Sequence, residues 1–213
     1  MKHFIAIPGI TVLFLTLFLG CGRQEQPAKT QKPAATPQTA SAPQHGKEGT
    51  PKLQVYDEPG MAIRTEYPDS MEVQGMGSGE GSGFIFTFKP RGNALDKAKV
   101  HIFLPRGAAT AAAQEPFVTG PRGLFENNSW KKESETTDAV KFPYGWVRKV
   151  ISFSNPGDQG MVGEILLGEA SHQAVEVILY YPADLSAEFL ADAKLILGHL
   201  QFKSDNLPLG KPQ

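Results

Sequence analysis

Cysteine is nearly absent from this chain of 213 residues: there is one, Cys21. A single cysteine closes no internal disulfide and lacks the paired spacing of a zinc site, so disulfide-stapled and zinc-ribbon architectures are excluded. Long apolar runs are missing too, apart from one that ends at Gly20. Between Gly22 and Lys52 there is no Val, Ile, Leu, Met, Phe, Tyr or Trp, so that stretch has nothing to bury. Basic excess is the third absence. From Leu53 to Asp205 the chain carries 14 Lys and Arg against 20 Asp and Glu, a net charge of −6. An acidic domain without a basic stripe does not suit nucleic acid.

What is present starts with Lys2 and His3, followed by FIAIPGITVLFLTLFLG, Phe4 to Gly20. A short positive patch before an apolar stretch is the layout of a secretory signal peptide. The run falls short of the ~20 apolar residues of a spanning helix and is interrupted by Pro8-Gly9. Leu19-Gly20-Cys21 resembles a bacterial lipobox, in which an apolar run ends in a small residue before cysteine; Phe18 is bulkier than the aliphatic residue usual there. The resemblance implies that residues 1–20 are a lipoprotein signal peptide and that Cys21 is lipidated on sulfur and becomes the new N-terminus. Acyl burial contributes about 0.8 kcal/mol per CH₂, and more than one chain gives stable attachment. Membrane anchoring through Cys21 is therefore expected, in a bacterial cell envelope. Gly22, where Gram-negative sorting would place Asp for inner-membrane retention, favours the periplasmic face of the outer membrane. The alternative for the same residues is an ordinary signal peptide or uncleaved anchor with a bystander cysteine.

Residues 21–52 are expected to be the lipidated cysteine and a disordered Pro/Ala/Gln-rich tether, spanning about 30 Å as a flexible coil. His45 belongs to this tether as a solvated residue. Residues 53–205 have the length of a single domain with a real core, and 206–213, with two prolines and a glycine, are expected to fray.

Within the domain, Ala62–Tyr67 reads as a strand stopped by Pro68-Asp69-Ser70. The glycine-rich tract Gly75–Gly83 reads as a loop or wide turn. In FIFTFK, Phe84, Phe86 and Phe88 alternate with Ile85, Thr87 and Lys89, the period of a half-buried strand. A turn at Pro90–Asn93 leads to a strand at Val100–Leu104. Gly107–Glu115 predicts a helix ended by Pro116, and Leu124–Trp130 a short second one. Trp146–Ser154, with Val147, Ile151 and Phe153 on one face and Lys149 out of pattern, begins an antiparallel meander. Asn155–Asp158 turns it into Val162–Glu169, and Ala170-Ser171-His172 into Ala174–Tyr181. A closing helix, capped by Asp184 or Ser186, carries Phe189, Ala193, Ile196, Leu197 and Leu200 at helical spacing. The fold class is α+β: an antiparallel β-sheet flanked by helices.

The strand followed by Tyr67-Pro68, the long antiparallel strands and a closing amphipathic helix ending in Leu200-Gln201-Phe202 resemble the Mog1/PsbP-like α/β/α sandwich. The resemblance covers most of Met61 to Phe202. Many members carry a tryptophan shortly after the Tyr-Pro; here that place holds Met71 or nearby Val73. It implies small envelope lipoproteins and carries over no catalytic residue.

Catalytic motifs are scarce. GMGSGEGSGF has neither the dinucleotide-binding nor the P-loop spacing and precedes a strand, so no helix N-terminus stands behind it. Ser78 and Ser82 lack the nucleophile-elbow flanks. Ser129-Trp130-Lys131-Lys132 matches S-x-x-K without the companion motifs. Candidate ligand residues are His101, inside a strand, and Glu164, Glu169 and His172, which a hairpin could gather into a weak metal cluster. Trp130 and Trp146 could each belong to a core or to an apolar groove, and His199 ends the last helix. No cofactor is expected. The reading that follows is a membrane-anchored, non-enzymatic interaction or assembly module with an envelope protein partner. The alternative is a small-ligand- or metal-binding protein or a hydrolase, with a site formed only in three dimensions.

Overall fold

The computed structural model describes residues 51–138, 144–158 and 160–208. They fall within the compact unit Lys47–Gln213. Residues 1–46, which hold the expected signal peptide, Cys21 and His45, lie outside the described residues.

Among the described residues, ten strands and three α-helices follow in the order β1 (Leu53–Tyr56), β2 (Ile63–Pro68), β3 (Met71–Gly77), β4 (Gly81–Phe88), β5 (Lys99–Pro105), α1 (Ala111–Thr119), α2 (Leu124–Asn127), β6 (Lys131–Thr136), β7 (Val147–Ser154), β8 (Met161–Ala170), β9 (Gln173–Pro182), α3 (Ser186–Gly198) and β10 (Gln201–Phe202). Seven strands form one sheet in the order β3-β4-β5-β9-β8-β7-β6, and β1-β2-β10 form a small second sheet. Every pairing is antiparallel. This is the α+β layering expected.

Successive strand residues point to opposite faces, so β7, β8 and β9 each serve two cores. Phe84, Phe86, Val100, Ile102, Val177 and Leu179 face one way, against Ile63 of β2 and Phe189 and Ile196 of α3. Ile151, Phe153, Ile165, Leu167 and Ile178 face the other way, against Val118 of α1 and Leu124 of α2. The Phe84/Phe86/Phe88 alternation is as read: all three are buried. The β7-β8-β9 meander also stands, its last reversal made by Ser171 and His172, both at positive φ.

Several local expectations are corrected. The glycine-rich tract is mostly strand: β3 and β4 pair from Met71↔Phe88 to Gly77↔Ser82, leaving only 78–80 as the turn. Gly75 is needed within it, because a Cβ there would lie 2.2 Å from the Tyr56 hydroxyl oxygen. Helix α1 starts later than predicted, at Ala111, where Thr110 caps it by accepting from the Ala113 N–H at 3.2 Å, and it runs through Pro116 to Thr119. Pro116, sixth in the helix, removes the one bond that an N–H there would have donated to the Ala112 carbonyl oxygen.

The out-of-pattern Lys149 marks a β-bulge: Val147 pairs with Gly168 and Lys149 with Leu167. The extra residue puts Val147 in the first core and Ile151 and Phe153 in the second, not on one shared face as expected. Neither Asp184 nor Ser186 caps α3; a 3-10 turn at Ala183–Leu185 leads into it without a side-chain cap bond. The helix stops at Gly198, and Gln201-Phe202 is a short strand paired to β2. The expected frayed tail begins inside the fold, with the Asn206 side-chain amide donating to Met61 O at 3.3 Å and Leu207 buried.

Candidate functional site

The helical layer of α1 and α2 leaves one flank of the large sheet uncovered, and a cleft of about 860 Å³ opens there. Its floor is β5 and β9. Because Val100, Ile102 and Leu104 point into the first core, their neighbours Lys99, His101 and Phe103 point into the cleft. On β9 the same alternation turns Glu176 and Ile178 toward it. Register places Phe103 opposite Glu176 and His101 opposite Ile178. Ala113, Gln114 and Phe117 of α1 form the wall, continued by Leu124, Asn128 and Trp130. The β3–β4 turn (Gly79, Glu80) and the loop after β5 (Arg106 to Ala108) close one end. Gln173, wholly buried, holds that loop by donating its side-chain amide to the carbonyl oxygens of Pro105 and Ala108.

Glu176 is the centre of the site. It is 4% exposed, and its Oε2 accepts a bond of 2.7 Å from Gln114 Nε2. Among the described residues its Oε1 has no hydrogen-bond partner, and the side chain borders the cleft. Burial pushes the carboxyl above the usual glutamate range, and the Gln114 bond offsets part of that rise. His101 is held below the usual imidazole range, first by burial and then by repulsion from Lys99. Neither of its ring nitrogens hydrogen-bonds to a described residue; its ring lies 6.2 Å from that of Phe103. Beside the cleft, Trp130 stacks on Phe153 at 4.2 Å between ring centroids. At the other extreme of polarity, Phe117 is 67% exposed. Among the described residues, the lining contains no serine, threonine, cysteine or tyrosine.

Of the sequence-derived candidates, His101 and Trp130 line this cleft. Glu164 and Glu169, five residues apart on β8, face opposite sides of the sheet. Glu164 lies on the α3 side, raised by burial, with Lys194 acting against that rise. Glu169 pairs with Arg148 Nε at 3.0 Å and shares a smaller hollow of about 370 Å³ with His172 and Thr110. The Glu164/Glu169/His172 cluster therefore does not assemble, and among the described residues no three His, Cys, Asp or Glu side chains are placed to hold a metal ion. Trp146 packs away from the cleft, beside Tyr144 and Phe202, and His199 bonds the Leu195 carbonyl oxygen at 3.0 Å. Cys21 lies outside the described residues.

Sequence reasoning missed Glu176, Gln114 and Phe117. A signal for the first was present: Glu176 is the single charge in AVEVILYY. For Gln114 and Phe117 there was none, since their role depends on where α1 lands on the sheet.

No protein-family model matches the chain, and no curated protein sequence matches it. Among solved structures it is similar to the cyanobacterial PsbP of Synechocystis sp. PCC 6803, at 10% identity over 74% of this chain and 96% of that one, with a TM-score of 0.49. The Ran-binding protein Mog1p of Saccharomyces cerevisiae is similar at 12% identity over 74% of this chain and all of its own (100%), TM-score 0.49. A mutant of protein Mog1 follows at 13% identity, 70% and 95% coverage and a TM-score of 0.46. The likeness is one of fold; with all three TM-scores below 0.5 it carries nothing about what the chain binds or does.

Proposed function

We propose that this protein is a non-enzymatic interaction module of the bacterial cell envelope, tethered to a membrane through lipidated Cys21, whose folded domain engages a partner protein through the cleft beside α1. The observation that carries this reading is the cleft itself: an open concavity with apolar walls, a few convergent polar groups and the exposed ring of Phe117. The lipobox residues Leu19-Gly20-Cys21 support the anchor, and Gly22 supports outer-membrane sorting in a Gram-negative cell.

In-cell crosslinking at native expression, followed by membrane pull-down of the full chain, tests it. The expected result is one dominant partner whose yield falls with Phe117→Ala. Equal capture by Phe117→Ala, or no partner despite confirmed lipidation, would sink the cleft reading.

A further inference from the structure

Buried ionisable groups in proteins are paired, because an uncompensated charge away from water is costly. Lys149, its side chain 16% exposed, shows the usual arrangement, meeting Glu115 at 2.6 Å and Glu135 at 3.0 Å. Glu176 breaks it. Its one protein hydrogen bond comes from a neutral amide, Gln114, and no cation of the described residues pairs with it. The two cations bordering the same cleft are engaged elsewhere: the Lys99 ammonium lies over the Tyr180 ring at 5.9 Å from its centroid, and Arg106 reaches toward Ser78 O at 3.5 Å. Among the described residues, Glu176 thus presents one unpartnered carboxylate oxygen at the floor of a cleft to which Phe103, Phe117, Leu124 and Ile178 contribute apolar walls.

We infer that the cleft receives a lysine side chain of the partner, whose ammonium group pairs with Glu176 Oε1 while its methylene stem packs between Phe103 and Ile178. The inference rests on the cleft reading above and names what enters it. Three features select this occupant. Glu176 is only 4% exposed, so the visitor must be slender and long, with charge at its tip. A lysine stem is apolar and lies along apolar surface while its head finds a charge. The domain's net charge of −6 draws a basic partner surface. Phe117, exposed beyond the cleft, offers apolar area that a partner surface would cover and a free amine would not.

The full chain, extracted from membranes in detergent, is titrated with three capped tripeptides, acetyl-Leu-Lys-Leu-amide and its norleucine and glutamate counterparts, and with n-butylamine. Saturation-transfer NMR reads the affinities. The lysine peptide should bind about tenfold or more tighter than the norleucine peptide, the scale of one hydrogen bond to a charged group, and the glutamate peptide weakest of all. Glu176→Gln should erase the lysine preference, bringing the lysine and norleucine peptides to similar affinity. Equal affinity for the lysine and norleucine peptides in the wild type overturns the inference and leaves the cleft as an apolar docking groove. That comparison needs no variant to fold. A lysine preference that survives in folded Glu176→Gln overturns it as well. Butylamine binding as tightly as the lysine peptide reassigns the site to a small amine and overturns the partner side chain. Silence from all four probes overturns both the inference and the cleft reading.

Discussion

Glu176 occupies the centre of β9 with apolar neighbours along the strand, and burial raises its pKa despite the Gln114 bond. A carboxyl raised in the folded state contributes stability below the unfolded value near ~4.3 and loses it as pH climbs through the folded pKa. Glutamine keeps the shape and the bond to Gln114 without the titration. The stability gap between Glu176→Gln and the wild type should therefore widen in the variant's favour as pH rises through that window, then stay flat. Urea unfolding of both at about pH 4, 6 and 8 reads it, and a gap constant with pH would contradict the burial account. Glu164 and Asp192 are also raised by burial, which is why only the single-variant difference isolates Glu176.

At the scale of elements, β8 shows how closely the sheet and its second core are fitted. Gly163 faces Phe153, and a Cβ there would lie 2.4 Å from the ring and 2.3 Å from the Leu179 carbonyl oxygen. One of those atoms is backbone of the paired strand β9, so the ladder itself would have to shift. Gly163→Ala should cost about 1–3 kcal/mol, the range for overpacking a filled core. Gly79, in the β3–β4 turn, has nothing within 4 Å of its Cβ position, so Gly79→Ala should stay within about 0.5 kcal/mol. Urea midpoints of the two variants make the comparison. Parity between them would mean that β8 and β9 yield more readily than their register suggests. The β7 bulge belongs to the same scale: by turning Lys149 toward α1 it ties the helix and the edge strand β6 to one ammonium group.

At the scale of the whole molecule, the proposed anchor and the folded domain make separable contributions. On that proposal Cys21→Ser should move the protein almost completely from the membrane pellet to the soluble fraction while the urea midpoint of the domain stays put. Retention of the variant in the pellet would mean that the apolar run Phe4–Gly20 holds the chain without lipid. Among the described residues no helix is long and apolar enough to cross a membrane.

What the sequence by itself determined was everything that depends on neighbours along the chain. Period-two alternation placed β4, the turns at Asn155–Asp158 and Ala170-Ser171-His172 bounded β8 and β9, and an i, i+3, i+4 stripe gave α3 its buried face, because these patterns are local consequences of backbone geometry. β3 escaped where glycines interrupt its alternation, and β6 escaped because Lys131–Glu135 are exposed and show no period at all. Only the tertiary structure decided the site. Gln114 and Glu176 are 62 residues apart in the chain, and they meet because α1 crosses the face of β9 on which Glu176 and Ile178 lie. Whether a strand glutamate is solvated or buried beside a cleft depends on which part of the sheet a helix covers and which part it leaves open, a property of packing that no local pattern encodes.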